Sequence, residues 1–145
     1  MTGVQTCALP IYRSTVGLYL TDPPASGREL QSLDISGSSS NSPQTSTFSG
    51  SLTGAARIVA LRPTLDFPYG SIDIHATMPG GGKVPLLLLS GARPEWRRRY
   101  WLAEPVELPS GSKVEVTVKP PPIETGDPLP SKRYALQIAL DYVPQ

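Results

Sequence analysis

Short runs of Val, Ile, Leu and Tyr recur along the chain, and turn-forming residues separate them. Seventeen prolines and thirteen glycines interrupt these runs at short intervals. No segment repeats its apolar residues at helical spacing, whereas several runs alternate apolar and polar positions as half-buried strands do. The pattern therefore predicts about nine short strands. Their expected ranges are residues 14–20, 30–35, 47–52, 56–61, 71–78, 84–89, 100–108, 113–119 and 134–142.

Residues 71–89 contain the clearest hairpin. Every second position of residues 71–78 is apolar, which gives this strand one apolar and one polar face. The run Pro79-Gly80-Gly81-Gly82 favours a turn, so we expect residues 84–89 to pair with the preceding strand. Their consecutive apolar positions predict burial on both faces, although Pro85 is typical of a sheet edge or a bulge.

The pattern defines the remaining strands less sharply. We expect residues 56–61 to form a strand that Pro63 ends, and residues 47–52 to pair at a sheet edge. Residues 36–46 are rich in Ser, Asn and Gly and are predicted to form a loop. Residues 134–142 have a composition that also suits a helix, but we favour a closing strand with Gln137 and Asp141 on its less apolar face.

These elements together predict an all-β fold, an antiparallel β-sandwich that is jelly-roll-like. Alternation along the strands assigns the residues that fill the layer between the two sheets. This expected core comprises Ile58, Ile72, Ile74, Leu86, Leu88, Val114, Val116 and Val118. A chain of this length suits one domain rather than two.

Composition and charge narrow the functions that the fold could serve. The formal net charge is +1, which gives no electrostatic case for binding nucleic acid or an anionic membrane surface. No apolar run approaches the length of a membrane span. The basic cluster Arg97-Arg98-Arg99 is short, and we interpret it as a solvated loop or strand end rather than an anion site. Cys7 is the only cysteine, which excludes an internal disulfide.

We interpret the first eleven residues as a segment of different origin from the rest of the chain. Residues 1–11 read MTGVQTCALPI and resemble the conceptual translation of a high-throughput sequencing adapter. Segments of foreign origin are set aside before a fold is inferred. We then expect residues 12–145 to be a gene fragment that forms a single domain, with its true N-terminus and any upstream domain missing.

Several motifs carry a resemblance to a known family. VGLYL at residues 16–20 is followed by two prolines, and AARIVALRP at residues 55–63 and IHATMPGG at residues 74–81 come later. The most specific motif is W-x3-Y-x-L-x2-P-x2-L-P-x-G, which runs from Trp96 to Gly111. These motifs resemble the C-terminal domain of copper type II, ascorbate-dependent monooxygenases, and in particular that of their bacterial multidomain relatives.

The resemblance implies copper ligands that this chain lacks. In the family a His-x-His pair follows the strand that carries Pro63 here, and a methionine near the end of the domain is the third ligand. Thr64 and Asp66 occupy the histidine positions, and residues 137–142 contain no methionine. Hydroxyl and carboxylate oxygens are poor ligands for a copper ion that cycles through Cu(I). We therefore expect no catalytic residue, no metal and no other cofactor in this domain.

Few other residues offer candidate chemistry. His75 is the single histidine and shares a strand face with Asp73 and Thr77, where a solvent-facing histidine without an identifiable partner is the simplest interpretation. Asp66 and Asp73 are the only carboxylate pair worth naming, but nothing in the sequence brings them together. Met78 ends the apolar face of its strand and is interpreted as core filler.

Trp96, Tyr100 and Trp101 form an aromatic group that has two interpretations. They could stack against a sugar or an apolar ligand and so form a binding surface. Alternatively, Trp96 and Tyr100 seal one end of the sandwich. We favour the second, structural interpretation.

Three functions are consistent with these observations. The leading expectation is a non-catalytic module of a larger exported bacterial redox protein, periplasmic or extracellular by resemblance, with an upstream domain of the same protein as its partner. The alternatives are the C-terminal part of an active copper monooxygenase whose main site lies upstream, and a module that binds a carbohydrate or an apolar ligand. Paired histidines upstream would favour the enzyme, whereas a haem-attachment Cys-x-x-Cys-His motif would favour electron transfer.

Overall fold

The chain folds into β-strands throughout the part that the computed structural model describes, which is residues 29–39, 45–121 and 134–145. These residues contain no helix, so the all-β prediction is confirmed. The described residues form eight strands rather than about nine, and the strand predicted at residues 14–20 lies outside them, as do residues 1–11. The strands are β1 (Gln31–Ser39), β2 (Ser46–Ser51), β3 (Ala56–Leu65), β4 (Tyr69–Thr77), β5 (Lys83–Ala92), β6 (Tyr100–Leu108), β7 (Lys113–Lys119) and β8 (Tyr134–Pro144).

The eight strands form two antiparallel sheets that pack face to face. Sheet 1 has the order β1-β8-β3-β6, and sheet 2 has the order β2-β7-β4-β5. This is the strand order of an eight-stranded jelly roll, which agrees with the predicted β-sandwich. β1 contacts β2 at one side of the sandwich, and β5 and β6 are the end strands at the other side.

Alternate side chains of the central strands fill the layer between the sheets. Val114, Val116 and Val118 of β7 are buried, and Ile138 and Leu140 of β8 belong to the same apolar cluster from the opposite sheet. Seven of the eight predicted core residues are buried, and Met78 packs against them as expected. Removal of this apolar surface from water is the main contribution to the stability of the fold.

Leu88 is the exception, and its prediction as a core residue is wrong. Its side chain is 68% exposed on the outer face of sheet 2. A bulge in β5 lies opposite the step from Ile74 to His75 in β4 and inserts Leu86 into the strand. The inserted residue changes the phase of the alternation, so Leu86 and Leu89 both point inward although they are three positions apart. β5 is therefore not buried on both faces.

Three prolines lie inside strands, and all occupy edge positions: Pro63, Pro85 and, in the end strand β6, Pro105. Pro63 does not end β3 as predicted, because the strand continues to Leu65 while it pairs with β8. Pairing of β3 with β6 stops at Leu61, so β3 has no neighbour on one side at Pro63. Pro85 lies in the end strand β5, beside the bulge, as its position in the sequence predicts. Sheets tolerate proline at such edges because its missing N–H leaves no gap in a ladder there.

β1 extends into the segment that was predicted to be a loop. The predicted loop begins at residue 36, but β1 pairs with β8 as far as Ser39. Gly37 makes this possible, because a Cβ atom at that position would overlap the ring of Phe48 on β2. The glycine thus lets the end strands of the two sheets approach each other. β2 is an end strand of sheet 2, as predicted for residues 47–52.

We expect Val116→Ala to lower the free energy of unfolding by about 1–3 kcal/mol. Val116 is fully buried between Phe48 and Ile74 on the neighbouring strands, so the lost methyl groups leave a cavity. Leu88→Ala removes a larger side chain that is already solvated, and its effect should stay within about 0.5 kcal/mol. Urea denaturation of both variants measures the difference. Equal effects would contradict the burial described for these positions.

Candidate functional site

The outer face of sheet 1 brings together several of the residues that the sequence singles out, among them Thr64 and Trp101. Leu61, Pro63 and Leu65 of β3 are buried, so the residues between them point outward. Register with the adjacent strands arranges the outward residues in three rows, each about 7 Å from the next. The rows are Trp101, Ala60 and Asp141; then Arg62, Ala139 and Asp34; then Thr64, Gln137 and Ser36.

Asp141 is an outward-facing carboxylate that is nevertheless buried. The residue is 3% exposed, and its Oδ2 atom lies 3.0 Å from Nε of Arg99. The two groups are not aligned for a directed hydrogen bond, so the contact is an ion pair held by charge. A buried carboxylate is costly unless a cation accompanies it. Arg99 provides that cation. The interpretation of the basic cluster as simply solvated therefore does not hold for Arg99.

Arg99 also fixes the orientation of Trp101. The guanidinium carbon lies 5.5 Å from the centroid of the indole ring, which is the geometry of a cation–π contact. The Trp101 side chain is nonetheless 63% exposed. One arginine thus links a buried carboxylate to an exposed aromatic ring in the first row of this face.

Trp96 does not seal the sandwich, and that prediction is wrong. It lies in the segment 93–99 that connects β5 to β6, and its side chain is 41% exposed. The Trp96 N–H donates to the Arg93 carbonyl at 3.0 Å, which places the residue in a turn rather than in a strand. Tyr100, by contrast, packs against the core as expected. Of the predicted aromatic group, Trp96 and Trp101 are exposed and Tyr100 is structural.

Two depressions lie along the second and third rows of the outer face of sheet 1, and the second row is adjacent to the row that contains Trp101. One has a volume of about 480 Å³, and its lining includes Asp34, Arg62 and Arg97. The other has a volume of about 490 Å³, and its lining combines the third row and Asp66 with the core residues Leu65 and Leu136. Thr64 and Gln137 line both depressions, so the two are adjacent along β3 and β8, and we call them together the groove.

Thr64 and Asp66, which occupy the positions of the family's histidines, both lie in this groove. Asp66 Oδ2 accepts a hydrogen bond from the backbone N–H of Ala135 at 2.8 Å, so one carboxylate oxygen already ties β3 to β8. A hydroxyl and a carboxylate in this arrangement do not fit copper, which needs imidazole or sulfur donors. Within the described ranges, no three His, Cys, Asp or Glu side chains are grouped closely enough to hold a metal ion.

The outer face of sheet 2 carries a second polar cluster, centred on Glu115. Its Oε2 atom lies 3.1 Å from Nε2 of His75 and accepts a hydrogen bond from the Thr77 hydroxyl at 3.2 Å, while Oε1 accepts one from Lys113 at 3.3 Å. His75 is therefore not the free, solvent-facing histidine that we predicted. It lies directly opposite Glu115 in the pairing of β4 with β7, which places the two side chains in contact.

The fold keeps Asp66 and Asp73 apart. Asp66 follows β3 in sheet 1, whereas Asp73 lies on the outer face of β4 in sheet 2. The same separation applies to Asp66 and His75. The two sheets and their core lie between these groups, so neither pair can act on one ligand.

The chain matches no model of a known protein family and no curated protein sequence. The resemblance to copper monooxygenases accordingly stays a prediction that rests on the motifs described above. In the part of the chain that the structure describes, no helix is long and apolar enough to cross a membrane.

Asp34, Arg62 and Gln137 are site residues that sequence reasoning missed. Each lies at an outward position of a strand. Alternation along residues 30–35 was a usable signal for Asp34, and alternation along residues 134–142 was one for Gln137. The missing information was that β8 lies between β1 and β3. Non-local strand order of this kind brings the three residues together and leaves no trace in any single segment.

We expect Arg99→Met to destabilise the fold by about 1–3 kcal/mol, because it leaves the Asp141 carboxylate buried without its cation. The partial exposure of Arg99 keeps the effect below that of a fully buried pair. The double variant Arg99→Met/Asp141→Asn should recover part of the loss. A double-mutant cycle by urea denaturation measures the coupling, and additive effects would show that the two side chains do not interact.

The Glu115 cluster predicts a pH dependence of stability. The hydrogen bond from Lys113 lowers the pKa of the Glu115 carboxyl below its ordinary value of 4.5, partial burial acts in the opposite direction, and the bond from Thr77 adds to the lowering. A lowered pKa contributes stability above the unfolded value, and this contribution is lost as pH falls through the folded value. Glu115→Gln should therefore be less stable than the wild type at pH 6, and the gap should close below pH 4.5. Urea denaturation across this range measures the gap, and a constant difference would argue against the cluster.

Proposed function

We propose that this β-sandwich is a non-catalytic binding module of a larger exported protein and that it binds carbohydrate on the outer face of sheet 1. The observation that carries the proposal is the exposed indole of Trp101, which Arg99 orients beside the groove. An aromatic ring is costly to hydrate, so a ligand that covers it gains apolar contact. A sugar ring suits this position because it has a face of C–H groups and a rim of hydroxyls.

The polar side chains of the groove support a ligand with many hydroxyls. Asp34 offers acceptors, Thr64 offers both a donor and an acceptor, and the Gln137 amide offers two donors and an acceptor. Binding sites for small molecules combine apolar contact with a few polar groups that fix orientation. The groove and Trp101 together provide both kinds of contact on one rigid sheet.

The non-catalytic part of the proposal is supported by the donor set at Thr64 and Asp66, which does not suit a redox-active copper ion. A role in supporting or covering an upstream redox domain is compatible with carbohydrate binding, since a binding module can hold such a domain at its substrate. That partner, and a periplasmic or extracellular location, rest on the family resemblance alone.

We expect Trp101→Ala to weaken binding to polysaccharide by about tenfold. The loss follows from removal of the ring that contacts the sugar face, and the variant should remain folded because the indole lies mostly in solvent. Affinity electrophoresis of the full chain in gels that contain soluble neutral or acidic polysaccharides gives the first measurement. Isothermal calorimetry with oligosaccharides of the retarding polymer then gives the affinity.

Leu88→Ala is the matched control for this experiment. Leu88 is as exposed as Trp101 but lies on the outer face of the other sheet, so its removal should leave migration unchanged. If no polysaccharide retards the wild type, or if Trp101→Ala binds as tightly as the wild type, the proposed function is wrong.

A further inference from the structure

The charge of the groove points to a specific class of sugar. We propose that the bound carbohydrate carries a carboxylate, as a uronic acid residue does, and that Arg62 and Arg97 bind that carboxylate. This inference rests on the proposed carbohydrate-binding function. It adds the chemical class of the ligand and the two residues that select it.

The first support is that neither arginine has an acidic partner among the residues that the structure describes. Arg62 extends from β3 and Arg97 from the connecting segment 93–99, and they line the same depression of about 480 Å³. Among the described residues, the ion pairs are those of Arg99 with Asp141 and of Glu115 with His75 and Lys113, so neither Arg62 nor Arg97 has an acidic partner. On the same face, therefore, one arginine is neutralised and two are not.

The second support is the floor between Arg62 and Asp34. Ala139 lies between these two residues in the second row, and Asp34 is two strand spacings, or about 10 Å, from Arg62. Ala139 lines the depression but is itself buried, so a ligand there would contact the longer side chains around it. The two arginines and Asp34 give the depression a net charge of +1, which suits one negative group rather than several.

The shape of the charged groups favours a carboxylate over a phosphate chain. A guanidinium binds the two oxygens of a planar carboxylate in parallel, with high geometric selectivity. Asp34 would repel a second anionic group but can accept hydrogen bonds from hydroxyls. Trp101 lies diagonally across from Arg62 on the next row, within the reach of a ring contact. A chain of several sugar units could therefore span these groups, with one carboxylate toward the arginines and one ring toward the indole.

Oligogalacturonate and its fully methyl-esterified form test this inference, because they share a backbone and differ only in the negative charge. We expect the acid form to bind the full chain at least tenfold more tightly by isothermal calorimetry. Arg62→Gln and Arg97→Gln should each weaken binding of the acid form by about tenfold and leave the ester unchanged. Added sodium chloride should weaken binding of the acid form, since both arginines are exposed.

Arg57→Gln is the matched control, because Arg57 is also an exposed arginine of β3 but lies about 16 Å along the strand from Arg62. Equal binding of acid and ester, or tighter binding of sulfated dextran than of oligogalacturonate, would overturn the carboxylate site and leave the carbohydrate-binding function in place. If no polysaccharide binds the wild type, or if Trp101→Ala binds every polysaccharide as tightly as the wild type does, both the carboxylate site and the carbohydrate-binding function are wrong. Weakening by Arg57→Gln equal to that of Arg62→Gln would show a general effect of charge and would also overturn the site.

Discussion

Strand alternation is the constraint on which both faces of this sandwich depend. The inward side chains of β3, β4, β7 and β8 fill a single apolar layer, so the residues between them have to point outward. A slip of one residue in any of these strands would exchange the two sets and place charged groups in the core. The position of Arg62 beside Ala139 on the outer face is therefore set by burial of their neighbours Leu61 and Ile138.

The bulges refine this constraint at two positions. In β3 the register shifts between Ile58 and Ala60, so Ile58 and Leu61 both point inward although they are three residues apart. Without that extra residue, Arg62 and Thr64 would point inward, as Ile58 does. The bulge thus directs the polar end of β3 to the outer face, as bulges beside functional sites often do. The bulge in β5 has the opposite consequence and places the apolar Leu88 in solvent.

These two bulges also mark the limit of what the sequence could predict. Local alternation was sufficient to predict the hairpin of β4 and β5, the valines of β7 and the two-sheet architecture. It failed at Leu88 because Pro85 indicates an edge or a bulge but not which residue the bulge inserts, and that residue sets which side chains beyond it point inward. It also failed at Pro63. β3 has a free edge there only because its pairing with β6 ends at Leu61, and the sequence does not show where that pairing ends. Contacts such as that of His75 with Glu115 depend on which strands are neighbours, and strand order is non-local information.

The outer face of sheet 1 departs from the pattern that alternation predicts. Ala60, Ala139 and Asp141 point away from the core, yet they are almost completely buried. A buried ion pair is weak evidence for stability, because apolar residues of similar size would often serve as well. The Arg99–Asp141 pair is better explained by what it positions, since the same guanidinium lies over the indole of Trp101. Sequences that follow local rules elsewhere tend to break them at functional sites. The departure coincides here with the groove and with two arginines that have no acidic partner among the described residues, which is why we propose this face as the binding site.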